Sequence, residues 1–194
     1  MARRPSITQR PPVIVRLFLL FVLLCGLAFP ANATVEIGFY SRELGTNFPH
    51  AFVVLHGTVD ATGEQVDTSL GFTAHSVTPA LLFGAVRGEV EVLEAGYIAR
   101  SDRKFAVTLT DDQYRRVLAV AEEWRNAPQP SYRLRQHSCV HFVSAVAAAI
   151  GLQVDNDQRL MNRPRSFLER VIELNPQLAP AGGSGRAPNS VSQG

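Results

Sequence analysis

From residue 35 onward the chain first alternates short β-branched or aromatic runs with turn formers, and later changes to helical periodicity. Val35 to Tyr40 reads as a first strand, followed by the polar loop Ser41 to Asn47. Pro49 to His56 is rich in Phe, Val and Leu and bounded by turn formers, which predicts a second strand. Asp60 to Glu64 is a turn, and Gln65 to Ala74 returns as the other half of a β-hairpin. If Thr62 and Gly63 are its two central residues, His50 lies across from His75. Gly71 then faces Val54 and leaves room for another element to approach. Val77 to Gly88 reads as a loop with one helical turn around Leu81-Leu82-Phe83. Glu89 to Leu93 and Phe105 to Leu109 alternate polar with apolar residues, as half-exposed strands of a mostly antiparallel sheet do.

Three helices follow. Thr110-Asp111-Asp112-Gln113 is a capping box, and Tyr114, Val117, Leu118, Ala121 and Trp124 form the apolar face behind it, ending before Pro128. Gln136 to Leu152 predicts a helix that opens on Cys139, with Ser138 as N-cap and Gly151 as the left-handed terminator. Phe142, Val143, Val146 and Ile150 share the face of Cys139, so the sulfur sits at the mouth of the core. Pro164 to Leu174 is the third helix, with Pro164 near its first position. The Gly, Pro, Ser and Ala residues of 178–194 bury little and predict a disordered tail behind a domain of residues 34–177.

Targeting changes how composition is read. Arg3, Arg4, Arg10 and Arg16 precede an apolar run, Leu17 to Phe29, and Ala31-Asn32-Ala33 is an A-x-A site, so residues 1–33 read as a cleaved secretory signal. The protein is then exported, periplasmic or secreted, with no stable membrane span after cleavage near Ala33. The apolar run is too short for a span, which needs ~20 residues. Four of the 19 basic residues and none of the 17 acidic ones lie in the signal, which leaves 15 against 17 and no basic stripe for nucleic acid. Of the two cysteines, Cys25 leaves with the signal and Cys139 remains. At a helix N-terminus, unpaired N–H groups and the helix dipole favour a thiolate, so Cys139 is the candidate nucleophile.

Such a cysteine needs a base within reach. His141 lies about 200° round the helix from Cys139 and points away from it. His137 is not fixed by secondary structure, and His56 is too far along its strand. His50, at the start of a strand, is the best candidate. A metal site built from His137, Cys139 and His141 with His50 or His75 is the competing reading, but residues two apart on a helix diverge.

Ser138-Cys139-Val140-His141-Phe142-Val143, with Gly151-Leu152 after the helix, resembles the Asn-Cys-x-x-Phe-Val motif of papain-like NlpC-type proteins in their circularly permuted form, of which the lecithin:retinol acyltransferase group is a branch. In that order the catalytic histidine comes first, on a strand, as in Pro49-His50-Ala51-Phe52-Val53. The resemblance implies an α+β papain-like fold with an antiparallel sheet packed against the cysteine helix. It further implies Cys139 as nucleophile, His50 as general base and a polar residue on the following strand as orienter. His75 is the positional match for that third role, with Thr73 and Ser69 on the same predicted face. Ser138 departs from the usual Asn. The implied function is an exported cysteine amidohydrolase or peptidase acting through a thioester, without a cofactor, on a peptide or acyl substrate such as peptidoglycan. The alternatives are an acyltransferase or lipid thioesterase of the same fold, and a non-enzymatic envelope binding domain.

Overall fold

The computed structural model describes residues 34–43, 49–76 and 78–178, so the signal and all but the first residue of the predicted tail lie outside the described residues. Five strands, β1 (Val35–Arg42), β2 (His50–Thr58), β3 (Gln65–Ala74), β4 (Gly88–Glu91) and β5 (Asp102–Leu109), form one antiparallel sheet in the order β4-β3-β2-β1-β5. A one-turn helix, α1 (Ala95–Ile98), precedes β5, and α2 (Asp111–Arg125), α3 (Cys139–Ala149) and α4 (Pro164–Leu174) follow it. The protein is thus α+β.

The helix ends obey the local chemistry. Thr110 and Gln113 close the capping box of α2, with the Thr110 N–H donating to Gln113 Oε1 (2.9 Å) and the Gln113 N–H to Thr110 Oγ1 (3.2 Å). Gly151 takes φ +92° just past α3, where a side chain would be strained. Pro176–Leu178 forms a 3-10 turn whose Leu178 packs on the core, so the first residue of the predicted tail belongs to the folded domain.

The strands sort their residues onto two faces. Ile37, Phe39, Ala51, Val53 and Leu55 are fully buried in the main core, against which α3 and α4 pack. Val140, Val143, Val146 and Ala147 of α3 are also fully buried, so this helix is enclosed on more than one side. On the opposite face Tyr40 stacks on its cross-strand partner Phe52 (5.3 Å), and Phe52 meets Tyr97 of α1 (5.8 Å). Ser69 fastens the cover of this second face: its hydroxyl accepts from the Leu93 N–H (2.8 Å) and donates to the Leu93 carbonyl (3.4 Å).

The hairpin register differs from the sequence expectation by two residues. Val53 pairs with Leu70 and Val54 with Ser69, so the same ladder carried on sets Phe52 beside Gly71 and His50 beside Thr73, not His75. The reason lies in the turn. A two-residue type I′ turn needs positive φ at both central positions, which the β-branched Thr62 resists. Instead the loop spans Asp60 to Gly63 with Gly63 alone at φ +71°, closed by Val59 N–H to the Glu64 carbonyl (2.9 Å). A shift of two preserves the face of every side chain.

Candidate functional site

Cys139 opens α3 and is buried, with 5% of its surface exposed. The β2–β3 ladder begins at Val53, so Ala51 has no β3 partner, and its N–H acts on the sulfur together with the N–H groups of Val140 and Cys139 and the Tyr132 hydroxyl. All four pull the thiol pKa down. Burial outweighs them and pushes it above the usual thiol value. The thiolate expected from the helix start is therefore overruled by desolvation, and the resting sulfur keeps its proton.

His50 stands next to this group in the chain, because the N–H that reaches the sulfur belongs to the residue following it. Its ring stacks on Phe52 (5.9 Å) and meets the edge of Tyr97 (6.4 Å). Gly71 makes room for it: a Cβ there would lie 2.8 Å from His50 Nε2. Glu91 pairs with Gly71 across the β3–β4 ladder, which brings its carboxylate 3.9 Å from the same nitrogen. That distance is too long for a hydrogen bond, and the buried Nε2 has no hydrogen-bond partner among the described residues. Burial lowers the His50 pKa to about 4, so the imidazole is neutral at pH 7. Burial and Glu89 raise the pKa of Glu91.

His50 and Cys139 line one cavity of about 770 Å³ with Glu91, Tyr97 and Tyr132. Much of its remaining wall is apolar, with Leu81, Val92, Leu134 and Met161 among the lining residues. Two devices hold the aromatic walls. Tyr132 is fixed by an antiparallel bridge to Val86 (3.0 and 2.9 Å), while the side-chain amide of Gln129 both donates to and accepts from the Gly88 backbone (3.0 Å each). Tyr97 is held by Arg42, which stacks 4.3 Å over its ring and donates to its carbonyl.

The other sequence candidates go elsewhere. His75 is exposed and pairs with Glu89 at 2.8 Å, outside the cavity, so it is not brought to His50 and Cys139. Ser69 is committed to Leu93, whereas Thr73 does line the cavity. His137 stacks on Trp124 (3.8 Å) with its Nδ1 3.0 Å from the Ser131 carbonyl, and His141 turns back to Ser138, accepting from its N–H (3.3 Å). Three of the proposed metal ligands thus diverge, and no group of three or more possible ligands converges among the described residues.

Glu91, Tyr97 and Tyr132 are missed by sequence reasoning. Glu91 looks like the solvent side of an alternating strand, and its role becomes visible from its pairing with Gly71. Tyr132 sits in an irregular run, and nothing local indicates that Val86 will bridge it. No family model, curated protein or solved structure matches the chain.

Proposed function

We propose that the protein is an exported cysteine amidohydrolase or peptidase of the permuted papain-like NlpC type, acting on cell-wall peptides. The observation that carries this reading is that Cys139, at a helix start, and His50, at a strand start, open onto one cavity with backbone N–H groups gathered at the sulfur. In the resting site both groups are neutral. As the sulfur bonds to a substrate carbonyl carbon, His50 takes the thiol proton and the Glu91 carboxylate stabilises the imidazolium. The N–H groups at the start of α3 and the Tyr132 hydroxyl are the donors available to the oxyanion. Collapse expels the amine, which takes the proton from His50. Water then adds to the thioester, again through His50, and releases the acid and the free thiol.

The apolar cavity wall favours a second reading with the same nucleophile, an acyltransferase or lipid thioesterase. Cys139→Ala is expected to lower turnover of peptidoglycan fragments by a factor on the order of 10⁴. Equal turnover in variant and parent overturns Cys139 as the nucleophile, and absence of turnover in both leaves the non-enzymatic binding domain as the answer. Mass spectrometry of Cys139 after exposure to each substrate class separates the two enzymatic readings by the mass of the acyl group retained.

A further inference from the structure

Four large apolar side chains are exposed among the described residues, and three of them, Leu82 (66%), Phe83 (88%) and Val92 (66%), either line the cavity or lie within two residues of one that does. Leu82 and Phe83 follow the cavity-lining Leu81 on and just after a 3-10 turn (Pro79–Leu82), and Val92 itself lines the cavity. Adjacent exposed apolar groups of this size are rarely left in water without a partner. The chain segments that build the cavity also carry unpaired positive charge. Arg87 and Arg133 flank the Val86–Tyr132 bridge, Arg135 lines the cavity, and Arg163 lies between the lining residues Asn162 and Pro164. All four are exposed, and none forms an ion pair among the described residues. Of the carboxylates on the cavity, Glu91 is turned to His50, and Glu94 is the exposed one.

We propose that this rim docks on an anionic lipid bilayer, Phe83 and Leu82 entering the interface while the arginines meet the headgroups. An apolar tip beside a cavity whose flanking segments carry free arginines matches the two layers of a bilayer surface, hydrocarbon below phosphate. A second copy of this chain would bring the same four arginines against one another, which disfavours self-association through the rim. Continuity between the tip and the apolar cavity wall gives an acyl chain a path out of the bilayer without crossing water. Docking itself rests on the rim alone and does not depend on the catalytic reading.

The test uses the full chain carrying Cys139→Ala and Phe83→Trp, so that turnover is absent and position 83 reports its own depth, with buried Trp124 as a constant background. With vesicles of phosphatidylglycerol, emission is expected to shift to the blue, and brominated acyl chains are expected to quench the new indole at least twofold. Adding Arg87→Glu and Arg133→Glu should raise the lipid concentration needed for half the shift by tenfold or more. Phosphatidylcholine vesicles should behave like the charge-reversed variant. Water-like emission in the presence of anionic vesicles overturns the proposal, even if the chain is carried to them by another segment. So does a blue shift that follows protein concentration without lipid, which would mark self-association, or an affinity indifferent to the two arginines. Docking is read in the Cys139→Ala chain and turnover in the parent, so failure of one reading does not mask failure of the other.

Discussion

Two histidine–carboxylate pairs lie near one another on the same part of the sheet and behave as opposites. His75 and Glu89 are 2.8 Å apart and exposed, whereas His50 and Glu91 are 3.9 Å apart, with the imidazole buried over Gly71. By distance alone the first pair is the stronger. In water such a pair contributes little, because solvent screens it and holding two side chains costs entropy. The second pair has its imidazole in a low-dielectric wall of a cavity that also holds a thiol, where small charge movements have large consequences. What sets His50 apart as the candidate is its burial and its company.

The largest expected contrast is in catalysis. His50→Ala should lower kcat/KM on whichever substrate the parent turns over by roughly 10³-fold, while His75→Ala should stay within about twofold. Comparable losses would mean that the exposed pair shares in the chemistry.

Acid stability is the next test. A neutral His50 with a folded pKa of about 4 takes its proton in the unfolded chain near 6.5. Between those values the unfolded state binds more protons, so stability is present above about pH 6.5 and falls as pH drops towards 4. The full loss is about 3 kcal/mol. Denaturant unfolding of parent and His50→Gln across this window should show the loss in the parent and a smaller one in the variant.

Gly71→Ala probes the space that separates the two pairs. The added methyl would lie 2.8 Å from His50 Nε2, 3.2 Å from Leu93 Cδ1 and 3.3 Å from Phe52 Cβ. Thermal unfolding should reveal a cost of about 1–3 kcal/mol together with reduced kcat. Gly84→Ala, with nothing within 4 Å of the new atom, should leave kcat unchanged. The smallest effect expected is that of Glu91→Gln: about tenfold in kcat with KM little changed, against no change for Glu89→Gln. A Glu91→Gln variant with full kcat and an unaltered pH profile would remove Glu91 as the positioning residue.

The elements were legible because their signals are local. The Thr110 capping box, Pro164 at a helix start and Gly151 at a helix end need only their neighbours, and β3 runs from Gln65 to Ala74 as its composition indicates. The same holds for Cys139 at the first turn of α3 and His50 at the first residue of β2. The third polar group was not legible, since it depended on the length of one turn. A four-residue loop replaced the two-residue turn and moved the partner of His50 along the ladder, leaving His75 at the surface.

Sequence by itself thus determined the local structures that present the two candidates Cys139 and His50, through spacing, capping and strand composition. Tertiary structure decided their state. Burial in a shared cavity holds the proton on Cys139 and keeps it off His50, an outcome opposite to what the helix dipole alone would give. The pairing of Gly71 with Glu91 decided which carboxylate faces the imidazole. Desolvation and cross-strand register depend on atoms far apart in the chain, and no local pattern encodes them.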